Sequence, residues 1–171
     1  TPADIIGLQE TPAELRAVVR DALPHFASAL PPPAPPAPPP PKSRKAVPPK
    51  PVPDVSVWWR EAAFRLVGSG SAPIGEGRSV EWVRLSPRLG PRGDGGGGGA
   101  DPTLVVATAH LINADAPGEV FTGQSPRRKQ VASLLATLRK VCHANEATLV
   151  MGDMNDPMHP RWAFRAAGLV D

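Results

Sequence analysis

Three stretches decide the fold: TLVVATAHL at residues 103–111, SPRRKQVASLLATLRKVCH at 125–143, and TLVMGDMND at 148–156. The first and third are apolar runs of strand length, of the kind a sheet buries on both faces. Between them Val131, Leu134, Leu135, Leu138 and Val141 recur at helical spacing, which predicts an amphipathic helix over 125–143. Strand, helix and strand in that order read as a βαβ-like crossover, which brings two parallel strands side by side. Each strand, expected over 103–109 and 148–152, runs into polar groups: His110 at the end of the first, Asp153 and Asn155 after the second.

Upstream, DIIGLQE at residues 4–10 repeats the pattern, a buried strand over 4–9 followed by Glu10. Thr11, Pro12 and Glu14 then form a capping-box signature that predicts a helix to about Leu23. Leu15, Val18, Val19 and Ala22 share one stripe of that helix. Residues 54–59, 63–68 and 79–85 read as three strands joined by Gly, Ser and Pro turns, an arrangement that favours antiparallel hairpins. Trp58, Trp59 and Trp82 fall on these strands, where packing explains them better than base stacking. A short helix is expected after Pro160. Together these elements give a mixed α/β sandwich.

Two segments stand outside this pattern. Residues 31–53 hold 13 of the chain's 24 prolines, and proline excludes both helix interior and central strand. The segment is expected to be a polyproline II insertion in a surface loop, with docking to a proline-reading domain as the sharper alternative. Residues 87–101, with five consecutive glycines at 95–99, read as a flexible loop. The net charge of +3 is itself local: Lys42, Arg44, Lys45 and Lys50 lie in the proline-rich segment, and the remainder holds 15 basic against 16 acidic residues. Electrostatics therefore gives no support to a dedicated nucleic-acid-binding module. The lone Cys142 excludes an internal disulfide, and no apolar run approaches the ~18 residues of a membrane span.

The residues at the strand ends suit metal-assisted hydrolysis of a phosphoester. A carboxylate such as Glu10 is what a hard cation takes, together with water and substrate phosphate; otherwise it is a solvated acid near a helix start. Asp153 and Asn155, two apart, share one side of an extended segment, where the acid can orient water and the amide can donate to phosphate. The same pair can equally close an Asx-turn. His110 can protonate a leaving oxygen or stabilise the transition state, and a lone strand-end histidine can also be structural. His25, His143 and His159 show no partner pattern, and the four histidines and one cysteine lack zinc spacing.

DIIGLQE, TAHL, the Arg127-Arg128-Lys129-Gln130 helix start and LVMGDMND, in that order, resemble the endonuclease/exonuclease/phosphatase superfamily, the fold of pancreatic deoxyribonuclease. The resemblance implies a four-layer α/β/β/α sandwich and hydrolysis assisted by Mg²⁺, with Mn²⁺ as the alternative. By that likeness Glu10 binds the metal, His110 contacts the scissile phosphate, Asp153 positions the nucleophilic water and Asn155 orients the substrate. The chain departs from the family pattern at Ala109, where members usually carry Asn. An earlier strand ending in Asn and a later Ser-Asp-His segment are not in this sequence either. The expectation is thus a central portion of one such domain, 1–171, acting on a nucleic acid, an inositol phosphate or a phospholipid. The alternative is a catalytically silent sandwich that displays its proline-rich segment to partners.

Overall fold

A computed structural model describes residues 3–30, 54–88, 101–113, 125–144, 146–156 and 159–169. The proline-rich segment 31–53 and residues 89–100 of the expected glycine-rich loop lie outside the described residues. In chain order the elements are β1 (Ile5–Leu8), α1 (Ala13–Ala22), β2 (Phe26–Ser28), β3 (Ser56–Arg60), β4 (Phe64–Gly75), β5 (Arg78–Pro87), β6 (Leu104–His110), α2 (Pro126–Val141), β7 (Ala147–Asp153) and α3 (His159–Ala166). They build two sheets: an antiparallel one of order β1-β3-β2, and a mixed one of order β4-β5-β6-β7. The crossover through α2 makes β6 and β7 parallel, as the sequence pattern requires.

Period-two alternation sorts the four-stranded sheet into two faces. Its inner face presents Val83, Leu85 and Val106, with Met151 alongside, to Val57 and Trp59 of the three-stranded sheet. Its outer face presents Val80, Val105, Ala107 and Ala109 to Val131, Leu134, Leu135 and Leu138 of α2, with Phe164 of α3 at the margin. Gly7 lets β1 lie close over the inner face: a Cβ there would sit 2.9 Å from Met151 Cε and 3.3 Å from Thr108 Oγ1. The helices α2 and α3 thus form one outer layer. At the start of α1 the buried Arg16 folds back on the preceding chain, its Nε donating to the Thr11 carbonyl oxygen at 3.0 Å.

Several local expectations are revised. Thr11 does not cap α1; Pro12 occupies the N-cap position, without a side-chain cap bond. Thr11 is buried instead, and its hydroxyl pairs with Ser56 Oγ at 3.0 Å. The apolar stripe of α1 is not buried either: Leu15 and Val18 are 47% and 60% exposed, while Arg16 faces inward at 3%. Strand β4 runs through Gly68, Gly70 and Pro73 to Gly75, well past the expected 63–68. It is an edge strand with two register shifts, a setting that accommodates a proline without losing a central ladder bond. Strand β2 was not foreseen. Trp58 and Trp59 pack as expected, and Trp58 Nε1 donates to Ser56 Oγ at 2.9 Å. Among the described residues no helix is long and apolar enough to cross a membrane.

Two buried carboxylates give the fold opposite responses to pH. Glu146 joins β5 to the start of β6: Arg84 Nε and Nη2 donate to it at 2.7 and 3.1 Å, and Thr103 Oγ1 donates at 2.5 Å. The Arg84 guanidinium, followed by the Thr103 and His143 N–H bonds, holds its carboxyl at about 2 despite burial. Glu81 lies between the sheets, 1% exposed, with Oε1 accepting from the Val57 N–H at 3.4 Å and Oε2 without a hydrogen bond. Burial pushes its carboxyl up to about 7, against the weaker pull of the Val57 N–H and the Arg16 charge.

Two predictions follow from this framework. Gly152 (φ 143) crosses β6 so closely that an added Cβ would lie 1.9 Å from the Ala109 carbonyl oxygen. Gly152→Ala should destabilise the fold by more than about 3 kcal/mol in urea titration. Gly77→Ala, at φ 71 in open space, should lose only about 1 kcal/mol. In the pH profile, Glu146 stabilises above its unfolded value near 4.5, and its contribution disappears as pH falls through about 2. Glu81 acts in reverse, because the folded state holds its proton longer: stability declines as pH rises from about 4.5 to about 7. Glu146→Gln should flatten the acid limb and Glu81→Gln the decline toward neutrality, each read as the unfolding midpoint against pH.

Candidate phosphoester site

The parallel ladder sets His110 beside Asp153, each the last residue of its strand. One further bond, from the Leu111 N–H to the Asp153 carbonyl oxygen at 2.9 Å, extends the pairing past the strand ends. The chain then turns: the Asn155 N–H donates to Asp153 Oδ1 at 2.9 Å, and Asn155 Nδ2 donates to the Leu111 carbonyl oxygen at 2.8 Å. Asn155 thus bonds the distant Leu111 rather than a local group, and only Asp153 closes the Asx-turn expected of the pair. It occupies one acceptor position on a carboxylate that offers about four, so the turn orients Asp153 without saturating it.

Glu10 is held at the same rim by its neighbours. Gln9 Nε2 donates to Thr108 Oγ1 at 3.0 Å, two residues before His110. On the other side the Thr11 N–H donates to the Asp54 carbonyl oxygen at 2.8 Å, and Asp54 Oδ2 lies 3.3 Å from His110 Nδ1. Glu10 is exposed, between two anchors that both lead to His110. Its backbone has φ 52, and that of Asn155 has φ 48. Non-glycine residues held in the left-handed region carry strain of order 1–3 kcal/mol and cluster at functional sites. Only one other described non-glycine residue shares that conformation, Glu76 in the β4–β5 turn.

Two residues that the sequence reading passed over complete the rim. Asp54, just before β3, and Arg78, the first residue of β5, form an ion pair beside His110, and Arg78 Nη1 lies 3.1 Å from His110 Nδ1. A guanidinium can only donate and a carboxylate can only accept, so the single Nδ1 position serves one of them at a time. Nothing in the sequence links positions 54, 78 and 110; the link is created by β3 crossing above β5 and β6. The expected helix start proves to be a brace. Buried Gln130 accepts from the Ile112 N–H at 3.0 Å and donates to the Gly75 carbonyl oxygen at 3.2 Å. Arg127 Nη1 donates to the Asn113 carbonyl oxygen at 2.9 Å, and its Nε lies 3.6 Å from Asp156 Oδ2. Both residues stiffen the loops that leave β6 and β7.

A cavity of about 810 Å³ opens from Asp153 and Asn155 along the edge of β7 that has no strand partner among the described residues, floored by Leu149, Val150 and Phe164 and bordered by Arg161. Among the described residues no three His, Cys, Asp or Glu side chains converge on one point. Mg²⁺ does not require such a cage, since it keeps several waters and is held by one or two carboxylates with substrate phosphate. The oxygen donors at this rim, Glu10 foremost, match that preference.

The fold itself is known. The chain superimposes on ANGEL2, described as a 2',3'-cyclic phosphatase and solved with adenosine-2',3'-vanadate, with TM-score 0.63 and 19% identity over 97% of this chain and 44% of that one. The human Nocturnin catalytic domain with bound sulfate gives TM-score 0.64 and 18% identity, covering 96% and 56%. An endonuclease/exonuclease/phosphatase family protein from Bacteroides thetaiotaomicron gives 0.63 and 15%, covering 96% and 55%. The chain thus spans about half the length of these structures. No curated protein matches the sequence. The Endonuclease/Exonuclease/phosphatase family profile matches residues 1–169, and the DNase I-like sandwich seen here agrees with it; the chain belongs to that family.

Proposed function

We propose that this rim is part of a phosphoesterase site in which an activated water attacks phosphorus. The observation that carries the proposal is the register of His110 with Asp153, with Glu10 anchored to the same rim through Gln9 and Thr11. Asp153, oriented by the Asn155 turn, directs the attacking water and draws on its proton. Asn155 and His110 bond phosphate oxygens as negative charge grows on them. Glu10 would hold Mg²⁺, or Mn²⁺ in its place; when bound, the ion neutralises charge on the phosphoryl oxygens and leaving group. The bound vanadate and sulfate of the two relatives favour a phosphate-directed reading. Membership of the family alone does not name a substrate.

The test is turnover of an activated phosphodiester and of a 2',3'-cyclic nucleoside phosphate by the protein carrying this sequence, with Mg²⁺ supplied. Activity should vanish with EDTA and return with Mg²⁺ or Mn²⁺. Asp153→Ala and His110→Ala should each lower kcat by about 10²-fold or more. Glu10→Gln should raise the Mg²⁺ concentration needed for half-maximal rate. No turnover of either substrate, or turnover indifferent to Asp153→Ala, would reject the reading and leave the silent, partner-binding sandwich in its place.

A further inference from the structure

The near-neutral balance of charge outside the proline-rich segment conceals a partition. Helices α2 and α3 hold seven basic residues and no acidic one, whereas the rest of that portion holds eight basic against sixteen acidic residues. Both helices pack on the outer face of the four-stranded sheet, so the positive charge is gathered on one side of the molecule. Arg127 is buried against the loops, but Arg128, Lys129, Arg139 and Lys140 are exposed on the side of α2 turned away from the sheet. Among the described residues none of these four side chains has an acidic partner.

Helix stability does not account for this pattern. The first turn of a helix favours acids, because its unpaired N–H groups carry positive partial charge. Helix α2 has no acid there and opens with Arg127, Arg128 and Lys129. Nor does an acid stand three or four residues away to pair with them on the helix surface. Arg128 and Lys129 therefore stand where they cost the helix stability. Between them and Arg139–Lys140, about 16 Å further along the axis, the exposed positions are Ala132 and Ala136, so a ligand can lie close to the helix. The large apolar side chain exposed on these two helices is Trp162 of α3, at 61%.

We propose that the outer face of α2, with Trp162 of α3, is a docking surface for single-stranded nucleic acid. The two cation pairs neutralise phosphates at either end of the alanine shelf, releasing counterions from the strand. The Trp162 indole stacks on a base, whose face is open only where the strand is single. An anionic membrane fits this surface less well. A helix that binds one sets Trp, Phe or Leu beside its cations to enter the lipid, and α2 exposes only alanines between its own. The surface lies outside the rim of His110 and Asp153 and is independent of whether that rim cleaves phosphoesters.

The test is fluorescence anisotropy of a labelled oligouridylate titrated with the protein in EDTA, so that no turnover intervenes, at several salt concentrations. Replacing Arg128 and Lys129, or Arg139 and Lys140, by Gln should weaken binding about tenfold and make the slope of log K against log salt shallower by about one to two. Trp162→Ala should weaken binding by a similar factor and leave that slope unchanged. Arg128→Glu with Lys129→Glu should abolish binding while the unfolding midpoint holds or rises, because acids suit a first turn. A lower midpoint would show that these cations serve the fold, and would overturn the proposal. So would absence of oligouridylate binding, or binding that survives all the α2 variants and is lost when Lys42, Arg44, Lys45 and Lys50 become Gln. Binding to phosphatidylserine vesicles in place of the oligonucleotide, lost in the same α2 variants, would reject nucleic acid in favour of a lipid surface. Because no turnover is measured, a negative activity assay and a negative titration reject different statements.

Discussion

The parallel pairing of β6 with β7 is the constraint on which the rest hangs. Each of the two strands ends in one polar side chain of the proposed site, and the ladder places those residues opposite each other. A slip of β7 by one position would turn Asp153 to the helix face, while His110, on a strand held in register by β5, would lose it as a neighbour. Gly152 fixes the register from within, since only a residue without a side chain can pass the Ala109 carbonyl oxygen. Gln130 and Arg127 then secure the loops beyond, so the geometry does not depend on the loops' own preferences.

A second, more costly arrangement supports Glu10. The gap between the two sheets is apolar at its centre but buries Glu81 and Thr108, while Ser56, on the other face of β3, is buried with Thr11, and Arg16 is buried beside Thr11. An acid with an unsatisfied oxygen and an inward arginine are poor choices for stability alone. They accompany an acidic residue whose backbone is strained and whose two neighbours are both tied down. Rigidity at the rim is thus obtained from polar contacts that a purely apolar interior would lack.

The sequence revealed the parts of this molecule where local pattern and final environment agree. Buried strands announce themselves as apolar runs, α2 by its spacing, and the polar residues of the rim by standing where such runs stop. Legibility failed where a distant partner outweighed local preference. Thr11 has the chemistry of a helix cap, but Ser56 and Asp54, more than forty residues away, claim its hydroxyl and amide. Leu15 and Val18 look like core residues, yet the inward position of α1 belongs to Arg16. Gly68, Gly70 and Pro73 read as turns because β4 is an edge, where Gly70 makes room for the Trp82 ring. Asp54 and Arg78 were illegible because their contact with His110 is purely tertiary.

The connection through α2 also bears on how the protein comes into being. Strands β4, β5 and β6 pair in sequence order, whereas β7 reaches β6 only across the longer connection through α2, a pairing of higher contact order. Until that closure His110 has no Asp153 beside it, and the imidazole and the acid that share the rim in the finished molecule occupy separate parts of a half-built chain. The proposed site therefore exists only once the crossover through α2 is closed, and a chain without that closure lacks the pairing of His110 with Asp153.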